Sequence, residues 1–158
     1  MAGGWNLMPQ HGDRSGVHPK PWARGRGRSV TRWLLAALYF GAGVLHLAIP
    51  APFLGITPAW VPAAPFVIMA TGLAELAGAI ALVQRRSPPV RRAAGWGLAA
   101  YALCVWPANV NHLLLDMARA DHGLGWIYHG PRMVLQPVLI WAALWSSGAI
   151  GGRRSRVI

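Results

Sequence analysis

From Trp33 to Gln84 the chain runs for fifty-two residues in which Glu75 alone carries a side chain that is normally charged at neutral pH. A soluble domain seldom goes so far without Lys, Arg or Asp. A helix needs about 20 apolar residues to cross a hydrocarbon layer of about 30 Å, so this stretch is long enough to cross twice. Pro50, Pro52, Pro58, Pro62 and Pro65 fall in its middle. Each removes a backbone donor, so the reading is span, proline-rich outer loop, span. Glu75 then sits near the centre of the second span, where an unpaired carboxylate is costly and marks a site.

Composition agrees with that reading. The chain is 54% hydrophobic and 12% charged, against roughly 25% charged residues in a soluble domain. Its net charge of +11 does not point to nucleic acid, because the basic residues flank apolar runs and form no stripe interleaved with aromatics. Cys104 is the sole cysteine. That excludes an intrachain disulfide, a Cys-x-x-Cys redox pair and a cysteine metal cage.

Residues 1–30 are rich in Gly, Pro and Arg without hydrophobic period, and read as a disordered basic tail. This segment is too polar for a signal-peptide start, so the apolar run after it is expected to remain as an anchor. The ordered domain is expected over 31–150, with a second basic tail at 151–158. Four spans are expected, at about 33–49, 66–83, 93–115 and 133–150. Outer loops are expected at 50–65 and 116–130, with Pro131 opening the fourth helix and Pro107 kinking the third. The N-terminal tail, the 84–92 turn and the C-terminus hold thirteen basic residues, whereas the outer loops hold Arg119 and Arg132 alone. The Lys and Arg excess marks the cytoplasmic side. The expected fold is therefore an all-α, polytopic membrane four-helix bundle in the cell (inner) membrane, with both termini cytoplasmic. A soluble bundle fits poorly, since no span shows a polar outer stripe.

The polar residues of the spans agree in height. At about 1.5 Å per residue, His46, Glu75, Asn109, Arg132 and Gln136 all fall in the outer half of the bundle. Ala42, Gly43 and His46 share one face of the first span, and Gly72, Gly78 and Ala79 share the face of Glu75. Small residues of this kind permit close helix contact. Each polar residue has two readings. Glu75 is either a neutral, hydrogen-bonded packing residue or a ligand or proton group. His46 either ties two helices together or joins that site. Asn109 either satisfies backbone freed at Pro107 or binds. Arg132 either snorkels to headgroups or pairs with Glu75, and Gln136 is a common interhelical hydrogen-bonder. Haem held by His46 and His112 has only that one pair in its favour. No His-Glu-x-x-His spacing exists, and no metal site is expected.

The succession GAGVLHLAIPAPF (41–53), ITPAWVPAAPFVIMATGLAELAGAIALV (56–83), PANVNHLL (107–114) and PRMVLQPVLIWAALW (131–145) resembles the DoxX-like family of small four-helix membrane proteins. It covers residues 32 to about 147. The matching elements are Gly43/His46, Gly72/Glu75, Pro107/Ala108/Asn109 and Arg132/Gln136. His112 and the basic tail depart from the family pattern and inherit no role. The resemblance implies an accessory subunit of a quinone-linked membrane redox system, with membrane oxidoreductase subunits as partners, no nucleic acid, and an oligomer as an open arrangement. The expected ligand is a quinone headgroup or similar lipophile, bound by His46, Glu75, Asn109, Gln136 and Arg132. No complete catalytic motif accompanies it. The alternatives are a scaffold whose polar residues only cement helices, and a small transporter, which lacks an inverted repeat.

Overall fold

The structure is a computed structural model that describes residues 21–151. Its elements are all helical: α1 (Pro21–Ala48), α2 (Ala51–Ile56), α3 (Ala64–Val83), α4 (Pro88–Met117) and α5 (Gly125–Ser147). The four long helices close a ring in which α1 packs on α3, α3 on α4, α4 on α5 and α5 back on α1. Short connections between sequential neighbours make this an antiparallel bundle. Arg28 donates to the backbone carbonyl of Gly151 at 2.6 Å and stacks over Trp145, which ties the start of α1 to the end of the described chain.

Three helical segments, Gly25–Ala48, Ala64–Val83 and Pro88–Met117, are long and apolar enough to cross a membrane. The 23 residues of α5 give it the length to cross, but His129, Arg132 and Gln136 lower the hydropathy of its first half. Large apolar side chains cover the outside of the bundle, among them Leu34, Leu73, Ile80, Leu103, Val134 and Trp141. That surface is what lipid rather than water accommodates. The chain is a multi-pass membrane protein.

Helix boundaries depart from the sequence expectations at three places. The first helix begins at Pro21, whereas the tail was expected to reach residue 30. No residue between them forbids helix, Pro21 is tolerated in the first turn, and Arg28 gains its partners on the far terminus. Residues 1–20 and 152–158, with His11, His18 and most of both basic tails, lie outside the described residues. The 50–65 connection is not all loop, because α2 occupies its first part; Thr57 Oγ1 and Asn111 Nδ2 donate to the carbonyls of Phe53 and Ile56 and hold the end of this short helix.

The third departure is a correction. The loop expected over 116–130 spans only 118–124, and α5 starts at Gly125 with Pro131 and Pro137 inside it. Pro131 therefore does not open the helix. A proline in the seventh helical position removes one bond, to the carbonyl of Ile127, and Ile127 is 93% exposed in the first turn. The cost is small where that carbonyl lies near a helix end. Pro107 likewise stays within α4 without ending it.

The bundle is packed unevenly along its length. Leu35, Ala36 and Tyr39 of α1, Ala79 and Leu82 of α3, Leu98 of α4, and Ala142 and Ala143 of α5 form one core. Most of these lie toward the end that carries Arg28 and the 84–87 turn. The opposite half is held open, and the polar residues of the spans collect there.

Candidate functional site

The open half contains a cavity of about 430 Å³, within the usual range of small-molecule pockets. His46, Glu75, Asn109, Arg132 and Gln136, the five residues singled out from sequence, all line it. The walls are mostly apolar, from Leu38, Val67, Ile68, Leu135 and Leu139, and Phe53, Pro58 and Trp60 of the 49–63 segment close one side.

Glu75 reaches the cavity because α1 and α3 approach closely just beside it. A Cβ on Gly43 would stand 2.8 Å from the Gly72 carbonyl oxygen, and a Cβ on Gly72 would stand 2.9 Å from the Cβ of His46. Both distances are too short for a side chain. Only glycine permits this crossing. His46 lies three residues beyond Gly43 and Glu75 three beyond Gly72, so the crossing sets the two side chains face to face. The buried face of α3 consists of Ile68, Gly72, Glu75, Ala79 and Leu82, in the helical period expected from sequence.

His46 Nδ1 lies 2.9 Å from the Ala42 carbonyl oxygen and 2.9 Å from Glu75 Oε2. A carbonyl only accepts, so Nδ1 carries the hydrogen and directs it to the Ala42 carbonyl. Glu75 Oε2, buried and without a directed hydrogen bond, is left under-satisfied although the imidazole is near. Its other oxygen, Oε1, accepts from the Tyr101 hydroxyl at 2.7 Å. Phe53 stacks on the His46 ring with centroids 3.8 Å apart, which fixes the imidazole plane.

Two further polar atoms in this cavity have no partner: the Tyr39 hydroxyl and Gln136 Oε1, both buried. Tyr39 packs edge-on against Tyr101, with ring centroids 6.0 Å apart. Arg132 Nη2 donates to Asn109 Oδ1 at 2.6 Å and Nη1 donates to His112 Nδ1 at 2.8 Å. The Arg132 guanidinium thus bridges α5 to α4. Among these contacts its partners are neutral, and Glu75, the pairing considered from sequence, is not one of them.

The structure adds residues to which the sequence drew no attention. Tyr39 and Tyr101 join Glu75, although a tyrosine in an apolar span gives no local signal. His112 is half-buried against Arg132, Tyr128 and His129, so it and His46 face different partners. Asp116 and His129 were assigned to a loop. In the structure they are buried, with His129 Nε2 donating to Asp116 Oδ2 at 2.9 Å.

A ring of apolar helices around a cavity with a few convergent polar groups defines a helical membrane protein with a small-molecule type of pocket. Residues 35–147 match the domain of unknown function DUF8561, and the chain belongs to that family. No curated protein and no solved structure matches the chain.

Proposed function

We propose that this protein is a four-span inner-membrane protein, with α5 as the fourth span and both termini cytoplasmic, and that its cavity binds the headgroup of a quinone or a similar small lipophile. In this reading it serves as an accessory subunit of a quinone-linked membrane redox system, in keeping with its resemblance to the DoxX-like family. A single observation carries it: three buried polar atoms without hydrogen-bond partners, on Tyr39, Glu75 and Gln136, line one cavity whose walls are otherwise apolar. Buried polar groups are nearly always paired, so a set of three around one space calls for a ligand with its own polar atoms. A quinone carbonyl on an apolar ring accepts from the Tyr39 hydroxyl, and a hydroxyl of the reduced quinol donates to Gln136 Oε1 or Glu75 Oε2. Glu75 and His46 are placed to give or take the proton that accompanies quinone reduction by electrons from a partner oxidoreductase. The second reading, that the polar residues only cement helices, draws support from the direct Tyr101–Glu75 bond and the glycine crossing beside it.

One experiment separates the two. Protein purified from native membranes is extracted with solvent and the extract analysed by mass spectrometry, for the wild type and for Glu75→Gln. A stoichiometric quinone in the wild type that is lost in the variant supports the pocket. Phospholipid alone in both, with Glu75→Ala and His46→Ala lowering the melting temperature and changing no ligand's occupancy, supports the scaffold.

A further inference from the structure

A second buried polar cluster lies outside the cavity, where α4 passes into α5. His112 and Asp116 stand four residues apart on α4 and share a face, and His129, in the second turn of α5, meets them. His129 is fully buried and Asp116 is 7% exposed. Asp116 Oδ2 lies 2.9 Å from His129 Nε2 and 3.7 Å from His112 Nε2. One ligand atom from each of the three residues falls within 4.8 Å of the others.

Two of these separations come close to those of a metal-ligand set, and binding draws the two histidines together from up to 4.8 Å. A tetrahedral zinc-type ion, with bonds of about 2.0–2.2 Å to nitrogen and oxygen, holds its ligand atoms about 3.3–3.6 Å apart. The two distances to Asp116 bracket that value. We propose that His112, Asp116 and His129 form a binding site for a first-row divalent transition-metal ion of the Zn²⁺ class, for which two imidazoles and a carboxylate are a suitable donor set.

The surrounding backbone presets the carboxylate. The Leu124 N–H donates to Asp116 Oδ2 at 3.0 Å. Gly123 adopts φ +52°, and a Cβ there would collide with the Asp116 carboxylate, so the 118–124 turn is closed directly over it. His129 Nδ1 is buried without a partner, and it is the nitrogen that carries the imidazole proton when Nε2 ligates the ion.

Arg132 sets a condition on occupancy. A guanidinium only donates, so His112 Nδ1 accepts from it and the imidazole proton sits on Nε2. Ligation through Nε2 moves that proton to Nδ1, where it would oppose the Arg132 N–H. Binding of the ion and the Arg132–His112 bond therefore exclude each other. An Arg132→Gln variant, neutral and able to accept from Nδ1–H, binds the ion more tightly.

The test uses the full-length protein in detergent, Zn²⁺ competition against a chromophoric chelator, and thermal melting with and without Zn²⁺. The expected result is that His129→Ala and Asp116→Asn each weaken Zn²⁺ binding by at least about tenfold, the lower end of what disturbing a metal site costs. Zn²⁺ raises the melting temperature of the wild type and not of these variants. Should either fail to fold, His112→Ala, at a half-buried position, reads out the same loss. A His11→Ala/His18→Ala variant keeps the affinity, and Arg132→Gln increases it. No Zn²⁺ binding by the wild type, or binding that survives His112→Ala and disappears with His11 and His18, overturns the proposal.

Discussion

The His46 imidazole meets the Glu75 carboxylate at 2.9 Å, three residues along each helix from the point where Gly43 and Gly72 let the two backbones nearly touch. The polar contact therefore depends on two residues that have no side chains. Gly72→Leu is expected to push α1 from α3, to destabilise the protein by about 1–3 kcal/mol as overpacked sites do, and to empty the cavity of any ligand. Thermal melting in detergent together with solvent extraction checks this. Wild-type stability in that variant would show that the helices do not need the crossing.

Tyr101 supplies the hydrogen bond to Glu75 Oε1. Tyr101→Phe keeps the ring packed on Tyr39 and leaves that oxygen without its donor. A loss of about 1–3 kcal/mol is expected, the cost of an acceptor stranded in a buried site. Equilibrium unfolding measures it, and a neutral result would mean that water or ligand already reaches the carboxylate.

Arg132 satisfies two acceptors at once through separate nitrogens. A planar fork does this and a single ammonium does not. Stability should fall in the order wild type, Arg132→Lys, Arg132→Met, with about 1–3 kcal/mol between the extremes for two acceptors left unpaired. Equal melting temperatures for the wild type and the Lys variant would show that charge alone accounts for the residue.

Membrane topology is open to a direct check. Cys104 is exposed on α4 and borders the cavity within the membrane-spanning part of the helix, and should resist polar maleimides in intact membranes. In a Cys104→Ala background, Arg86→Cys should be labelled only from the cytoplasmic side and Ala120→Cys only from the opposite one. Labelling of both from the same side would remove the proposed four-span arrangement.

The loop joining α4 to α5 carries its own acid-sensitive pair. Arg119 holds Asp121 through two hydrogen bonds, at 3.0 and 3.1 Å, and the Asp121 carboxyl is pushed down from 3.8 to about 2 by that bond and by the Gly123 N–H. A carboxyl depressed in the fold contributes stability that is complete above its ordinary value and fades as pH falls through the folded one. The loop should therefore keep its form on acidification to about pH 4 and loosen between there and about pH 2. Carboxyl chemical shifts followed by NMR would show Asp121 titrating well below an ordinary aspartate, and an ordinary titration would mean that the pair does not persist in solution.

How much of this was legible in the sequence differs from element to element. The spans of α3 and α4 and the collection of His46, Glu75, Asn109, Arg132 and Gln136 in one half of the bundle could be read from hydropathy, glycine spacing and height. Those are properties of single helices, and the axial rise of a helix is nearly constant. What defeated the reading was Pro131, read as a helix start, which put His129 in a loop, and an end to the third span at Leu115, one residue short of Asp116.

The sequence by itself determined that the chain is helical, apolar and membrane-bound, and which end of each helix carries its polar residues, because length and hydropathy act locally. Only the tertiary structure decided which polar atoms meet. That Arg132 turns to Asn109 and His112 rather than to Glu75, that Tyr101 caps Glu75, and that His129 seats on Asp116 all depend on how each helix is rotated about its axis. That rotation is fixed by packing against neighbours distant in sequence, at contacts such as Gly43 on Gly72.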